Sequence, residues 1–196
     1  MDLTQGTIEE KKTRAKKMML WFGIISLIMS FAGLTSAFIV SSKREDWLKD
    51  FQLPEAFFIS LLVIVVSSIT LIIAKNNLKK NKLGAVSFWT ILTIVLGVVF
   101  INNQLVGFSQ IINDGYNFTG PTSNITMSYI YLIAAVHIAH VVAALICLLV
   151  VLVKNLRKDY NSQNLLGFEL AATFWHFVDV LWIVLFLFLY FFRYII

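Results

Sequence analysis

The residues best suited to chemistry in this chain are three histidines, an aspartate and a glutamate, all embedded in long apolar stretches. His137 and His140 stand three apart, so a helix carries them on one face. His176 and Asp179 repeat that spacing, with Glu169 one or two turns earlier. Imidazoles ligate haem and metals, and an imidazole beside a carboxyl can pass protons. The spacing argues against ligation. A haem held by two histidines in a bundle takes one from each of two facing helices, and two stacked haems need pairs several turns apart on one helix. Three histidines without a Cys or carboxylate cluster also make a poor closed zinc site. The reading favoured here is a buried, hydrogen-bonded packing cluster, ahead of a proton path. Asp179 is expected to be hydrogen-bonded to a histidine or to a Trp or Thr donor, because an ionisable group at membrane depth needs a partner.

The elements that position these residues follow from composition. The chain has 196 residues, 59% of them hydrophobic and only 14% charged, about half the usual charged share. Its mean hydropathy is +0.81. A soluble domain of this size cannot hide so much apolar surface. Runs of about 20 apolar residues, enough to cross the hydrocarbon, fall at Met18–Val40, Glu55–Ala74, Gly84–Phe108, Thr126–Val153 and Ala171–Phe192. The expected fold is all-α: a polytopic transmembrane bundle with five spans, comprising a basic cytoplasmic tail at 1–17 and a single transmembrane domain at 18–196. Barrel strands would be short and alternating. The first run has no small-x-small cleavage site close behind it and is read as a retained helix.

Charge placement predicts the orientation. Twelve Lys/Arg lie in the N-terminal tail and in the connections Lys75–Leu83 and Lys154–Leu170, against four (Lys43, Arg44, Lys49 and Arg193) on the alternate side. The N-terminus is therefore expected inside and the C-terminus outside. The net charge of +5 is a topology signal. A nucleic-acid footprint would cluster its basic residues on one folded face, so no nucleic-acid partner is expected.

Other polar residues carry less. Ser67, Ser68 and Thr70 read as helix packing near a polar boundary. Asn102, Asn103 and Gln104 are either buried bundle contacts or a sign that the third helix ends before Phe108. Pro54 suits a helix start, and Pro121 sits in a turn-rich loop with Gly115 and Gly120. Cys147 reads as a small apolar packing residue. No Walker loop, dinucleotide fingerprint or zinc-protease motif is present, nor any transporter-type repeat.

The stretch GFELAATFWHFVDVLWIVLFLFLY, from Gly167 to Tyr190, resembles the last helix of subunit III of haem-copper respiratory oxidases, the cytochrome c oxidase subunit III family. The match lies at Glu169, Trp175, His176, Phe177, Asp179, Val180 and Trp182. The family's H-x-x-H-V signature is similar to His137, His140 and Val141. Gln104, Gly115–Tyr116, Leu53–Pro54 and Ser67–Thr70 also resemble the family, and five spans fit its shorter bacterial relatives.

The resemblance implies a role. Subunit III is a non-catalytic member of a proton-pumping terminal oxidase that reduces oxygen to water in the aerobic respiratory chain. It packs chiefly on subunit I, with subunit II and a small subunit IV or a supercomplex as further neighbours. It holds membrane phospholipid between its helices and supports proton uptake and stable turnover. No cofactor is expected on this chain, haem and copper belonging to partner subunits, and the expected location is the bacterial plasma membrane. His137, His140, Glu169, Trp175, His176, Asp179 and Trp182 are then structural, lipid- or interface-organising residues. Relatives often have a glutamate in the second helix near the proton-entry region. Its place falls on Ser60 here, with Glu55 more than a turn earlier, so these two mark that vicinity. Cytochrome c is the preferred electron donor and quinol the alternative. Rival readings are a haem-binding membrane cytochrome and a small transporter.

Overall fold

The computed structural model describes residues 7–48, 52–120, 123–158, 160 and 165–192. Lys49, Asp50, Pro121, Arg193 and Tyr194 lie outside the described residues. Five helices follow in chain order: α1 Ile8–Ser41, α2 Glu55–Lys79, α3 Leu83–Asn113, α4 Ile125–Leu156 and α5 Leu166–Phe192. All five are long and apolar enough to cross a membrane, and no strand is present among the described residues.

The helices outrun the apolar runs because capping chemistry sets their ends. The α1 helix begins ten residues before Met18. There the Thr7 Oγ1 accepts from the Glu10 backbone N–H at 3.3 Å, while the Glu10 carboxylate accepts from the Thr7 N–H at 3.0 Å. This reciprocal box starts a helix inside the basic segment expected to be a tail. The α2 helix continues past Ala74 until Asn81 takes a left-handed conformation, φ 55°. The Lys82 N–H then closes on the Asn77 carbonyl at 3.1 Å, the Schellman pattern. The α3 helix runs past Phe108 and ends in the same way. Gly115 has φ 89°, and the Tyr116 N–H donates to Ile111 O at 3.2 Å. The second reading of Asn102–Gln104, a helix ending before Phe108, is therefore set aside.

The short α2–α3 connection makes an antiparallel hairpin. Helices α2, α3, α4 and α5 each pack on the next, and α5 closes the ring against α2; among the described helices α1 touches only α4 and α5. Lipid removes the hydrophobic drive between helices, so close packing and interhelical hydrogen bonds must hold them. Both are visible. In α1 only Ile24, Phe31 and Phe38 are buried, seven residues apart in a single seam. Phe38 meets Tyr129, Phe188 and Phe192 edge-on at 6.0, 5.7 and 5.2 Å. Between α2 and α3, the Thr70 and Thr93 hydroxyls bond at 2.8 Å, and Gln104 Nε2 donates to Ser60 Oγ at 2.7 Å. Asn155 of α4 donates to Leu83 O and Ser87 Oγ at 3.0 and 2.8 Å. The outward faces are apolar, with Phe22 67% and Leu62 70% exposed.

Candidate functional site

The interior is organised by α5. Its buried face carries Phe168, Ala172, Trp175, Val178, Asp179 and Trp182, a stripe at helical spacing. Trp175 Nε1 donates to Ser67 Oγ at 3.1 Å, and one residue later His176 Nδ1 bonds Ser68 Oγ at 2.6 Å. Two adjacent residues of α5 are thus matched to two adjacent hydroxyls of α2. Trp175 also lies over Gly97 of α3, where an added Cβ would come within 2.6 Å of the indole.

His137 is fully buried. Its ring stacks on Trp182 at 4.9 Å with planes 27° apart, and Phe100 and Phe31 meet it edge-on at 5.8 and 6.3 Å. Phe57 and Phe100 in turn abut Trp182 at 5.6 and 5.5 Å. His137 therefore sits in an aromatic box with contributions from α1, α3 and α5. Among the described residues neither of its nitrogens has a hydrogen-bond partner, and neither does the indole N–H of Trp182. His140 is half-buried; its Nδ1 is 2.7 Å from the Val136 carbonyl one turn back, and Phe31 covers its ring at 5.7 Å. After the histidine pair, Val141 and Ala144 are buried while Ala143 is exposed. Ala144 is thus the small residue that lets α4 approach its neighbours.

The histidines do not form the single α4–α5 polar cluster expected of them. His176 turns to α2, His137 to Trp182, and His140 to its own backbone. Buried Asp179 has no His, Trp or Thr donor among the described residues; the group that faces its carboxyl is the Ser68 hydroxyl of α2. The reason is rotational. The donors nearest in sequence, Trp175 and His176, are already committed to Ser67 and Ser68. No group of three His, Cys, Asp or Glu that could hold a metal ion occurs among the described residues.

The remaining residues fall at the two ends of the bundle. Glu169 is half-buried, 3.9 Å from Lys75 Nζ, beside a small pocket lined by Lys17, Trp21 and Thr173. Glu55 is exposed in the first turn of α2. Ser60 is buried; it donates to Phe57 O at 2.8 Å and accepts from Gln104. Both stand toward the end of α2 opposite Lys75. Sequence reading had missed Gly97 and Gly107, the notches that receive Trp175 and Phe57. Glycine inside a uniformly apolar helix was the available signal.

The sequence is similar to that of known proteins. The family model described as cytochrome c oxidase subunit III matches residues 3–194. The chain belongs to the cytochrome c oxidase subunit III family. Among relatives, cytochrome c oxidase subunit 3 of Thermostichus vulcanus is 28% identical, covering 95% of this chain and 97% of its own length. Cytochrome c oxidase subunit 3 of Bacillus sp. (strain PS3) is 29% identical over 69% of this chain. A probable quinol oxidase subunit 3 from Staphylococcus saprophyticus is 28% identical, also over 69%. The matched region spans 64% of the length of the Bacillus relative. Family membership and five candidate spans make this subunit III homologue a multi-pass membrane protein.

The Ser–His contact yields a direct prediction. Ser68→Ala and His176→Phe should show a coupling of about 0.6 kcal/mol in a double-mutant cycle, the typical value for interhelical hydrogen bonds. The measurement is reversible unfolding of the purified chain in mixed micelles. Strict additivity would mean that His176 does not engage α2.

Proposed function

We propose that this chain is the non-catalytic subunit III of a proton-pumping terminal oxidase, packed on subunit I and contributing to the stability of turnover. The supporting observation is the family match along nearly the whole chain. The interior agrees with such a role: its conspicuous residues are spent on packing, Trp175 and His176 on α2, and His137 and Trp182 on each other. The electron donor in this reading is cytochrome c. The relative matched over 95% of this chain carries that name, and the quinol alternative rests on relatives named for quinol oxidase. The relatives are bacterial, which supports a bacterial plasma membrane; the placement of Lys and Arg supports an N-terminus inside, on the side bearing Lys17 and Lys75. Glu55 and Ser60 then stand toward the outer surface, away from the side from which protons are taken up. Support of proton uptake is better sought at the inner end, around Lys75 and Glu169.

Lipid holding has a specific place. Between α1 and α5 lies an open groove of about 420 Å³ lined by Ile28, Phe31, Ala32, Phe177, Val184 and neighbouring residues. Its walls are apolar and suit an acyl chain. Lys17, Lys75 and Glu169 line the small pocket toward the inner end; Glu169 offsets one of the two lysines, and the net positive charge left there suits a phosphate headgroup. Changing both lysines to alanine should at least halve the phospholipid retained by the purified complex, read by lipid extraction and mass spectrometry. Unchanged retention would remove this site from the proposal.

The whole reading is tested by tagged purification in mild detergent with a reduced-minus-oxidised spectrum. A haem signal that co-purifies with a larger multi-helix chain, and is lost when that chain is stripped away, is the expected result. Haem retained by this 22.3 kDa chain alone would favour a cytochrome. Neither haem nor partner would favour a transporter or a lipid-binding protein.

A further inference from the structure

Two helices of the ring present long stripes of exposed residues at the same spacing. On α2 the stripe runs Phe58, Leu62, Val65, Ile69 and Ile72, all apolar. On α3 it runs Ile91, Val95, Val98, Asn102 and Leu105, alternating four and three residues apart. The α3 stripe differs by one residue, the exposed amide of Asn102.

The depth of that amide follows from contacts already described. Ser60 and Gln104 are joined across α2 and α3 by a hydrogen bond, so the two positions share a level. Asn102 lies two residues further into the membrane than Gln104, and Ser60 five residues inward from Glu55. At 1.5 Å per residue, Asn102 is about 10 Å inward from the start of α2, within the outer half of the hydrocarbon. No water is available there to satisfy an amide.

Several hydroxyls along the helices satisfy themselves, and those that do not, Ser26 and Ser36 of α1, are small groups able to turn to a carbonyl of their own helix. Ser30, Thr35 and Ser109 donate to carbonyls of their own helices at 3.0, 3.0 and 3.1 Å, as hydroxyls can. Asn102 does not. It makes no side-chain hydrogen bond within the described chain; Val98, Val99, Leu105 and Val106 surround it on the face, with the amide of the half-buried Asn103 beside it. A lone Asn in an apolar stripe of alternating four- and three-residue steps has a recognised physical use. It fixes the partner and register of a packed helix pair, because a facing polar group satisfies it at only one alignment.

We propose that the α3 stripe from Ile91 to Leu105 is a docking seam for a transmembrane helix of a partner oxidase subunit. That helix presents a hydrogen-bonding side chain to the Asn102 amide. The inference rests on the oxidase reading above for the identity of the partner. The α2 stripe, lacking any polar group, faces lipid.

The test uses the assembled complex. A photo-crosslinking residue is placed at Val98, on the seam beside Asn102, or at Val65 on the α2 stripe, and the complex is irradiated in native membranes. An adduct with a larger oxidase subunit from position 98, and lipid adducts alone from position 65, are expected. In parallel, Asn102→Leu should speed loss of this subunit from the detergent-solubilised complex by about tenfold, whereas Val65→Leu should leave it unchanged. The isolated Asn102→Leu chain should keep its helicity and unfolding midpoint, which separates docking from folding. Adducts from position 98 only with lipid, or only with a second copy of this chain, would overturn the seam, as would an unchanged loss rate in Asn102→Leu. If the wild-type chain carries no oxidase subunit at all, the functional reading falls and the seam with it. If the oxidase is intact and only these outcomes fail, the seam alone is wrong.

Discussion

Trp175→Ala is expected to cost about 3–5 kcal/mol of bundle stability, the range for removing a fully packed aromatic. Trp175 is 1% exposed and joins three helices. It stands on α5, its indole N–H reaches Ser67 on α2, and its ring rests against the backbone of α3 at Gly97. Alanine would leave a cavity at the centre of the ring of helices and an unfulfilled hydroxyl opposite. Trp175→Phe separates the two contributions. It retains most of the packing and loses the hydrogen bond, so a smaller loss of about 1 kcal/mol is expected. Unfolding in mixed micelles, followed by circular dichroism, measures both. A Trp175→Ala loss below that of Trp175→Phe would contradict the three-helix junction.

Gly107→Val is expected to destabilise through the opposite fault, too much volume. A Cβ at Gly107 would run into the Phe57 ring, with Cδ1 at 2.7 Å. Phe57 cannot easily yield, since it is fully buried and held by Trp182 at 5.6 Å and Phe108 at 6.4 Å. Trp182 in turn carries the His137 stack. Overpacking of this kind costs about 1–3 kcal/mol, and valine belongs at the upper end. The informative comparison is Gly107→Val with Phe57→Leu. Shortening the opposing ring should recover much of the loss, so the double variant should be more stable than the sum of the singles. A double variant no better than that sum would show that the two side chains do not meet.

The five spans were legible because lipid tolerates little besides long apolar runs, and α2 was found to begin at Glu55 because Pro54 cannot donate into a helix. Helix ends were less legible. Hydropathy falls at Ala74, yet Lys75–Lys79 remain helical because the stop signal is Asn81, a residue able to turn left-handed. The histidines illustrate a different limit. Spacing shows which residues share a helix face, but the rotation of that face toward a neighbour depends on notches such as Gly97 and Gly107 elsewhere in the chain. His176 thus paired with Ser68 on α2, and Asp179 was left without the partner expected for it. Ser67 and Ser68 of α2 were noticed in the sequence, but the residues they bind lie 108 positions away.

The placement of α1 bears on how the protein is made. Synthesis delivers α1 before the other four helices described, yet every one of them it touches comes late: α4 starts at Ile125 and α5 at Leu166. During translation α1 must wait in the bilayer while the α2–α3 hairpin assembles beside it. The capping box at Thr7 helps by holding the first turns helical before any neighbour arrives. Its seam of Ile24, Phe31 and Phe38 closes only once the last two helices have left the ribosome. The earliest made of these five helices is thus among the last to dock. A nascent chain stopped before Ile125 would contain the hairpin and an unattached first helix, a species that quality-control proteases could distinguish from the finished subunit.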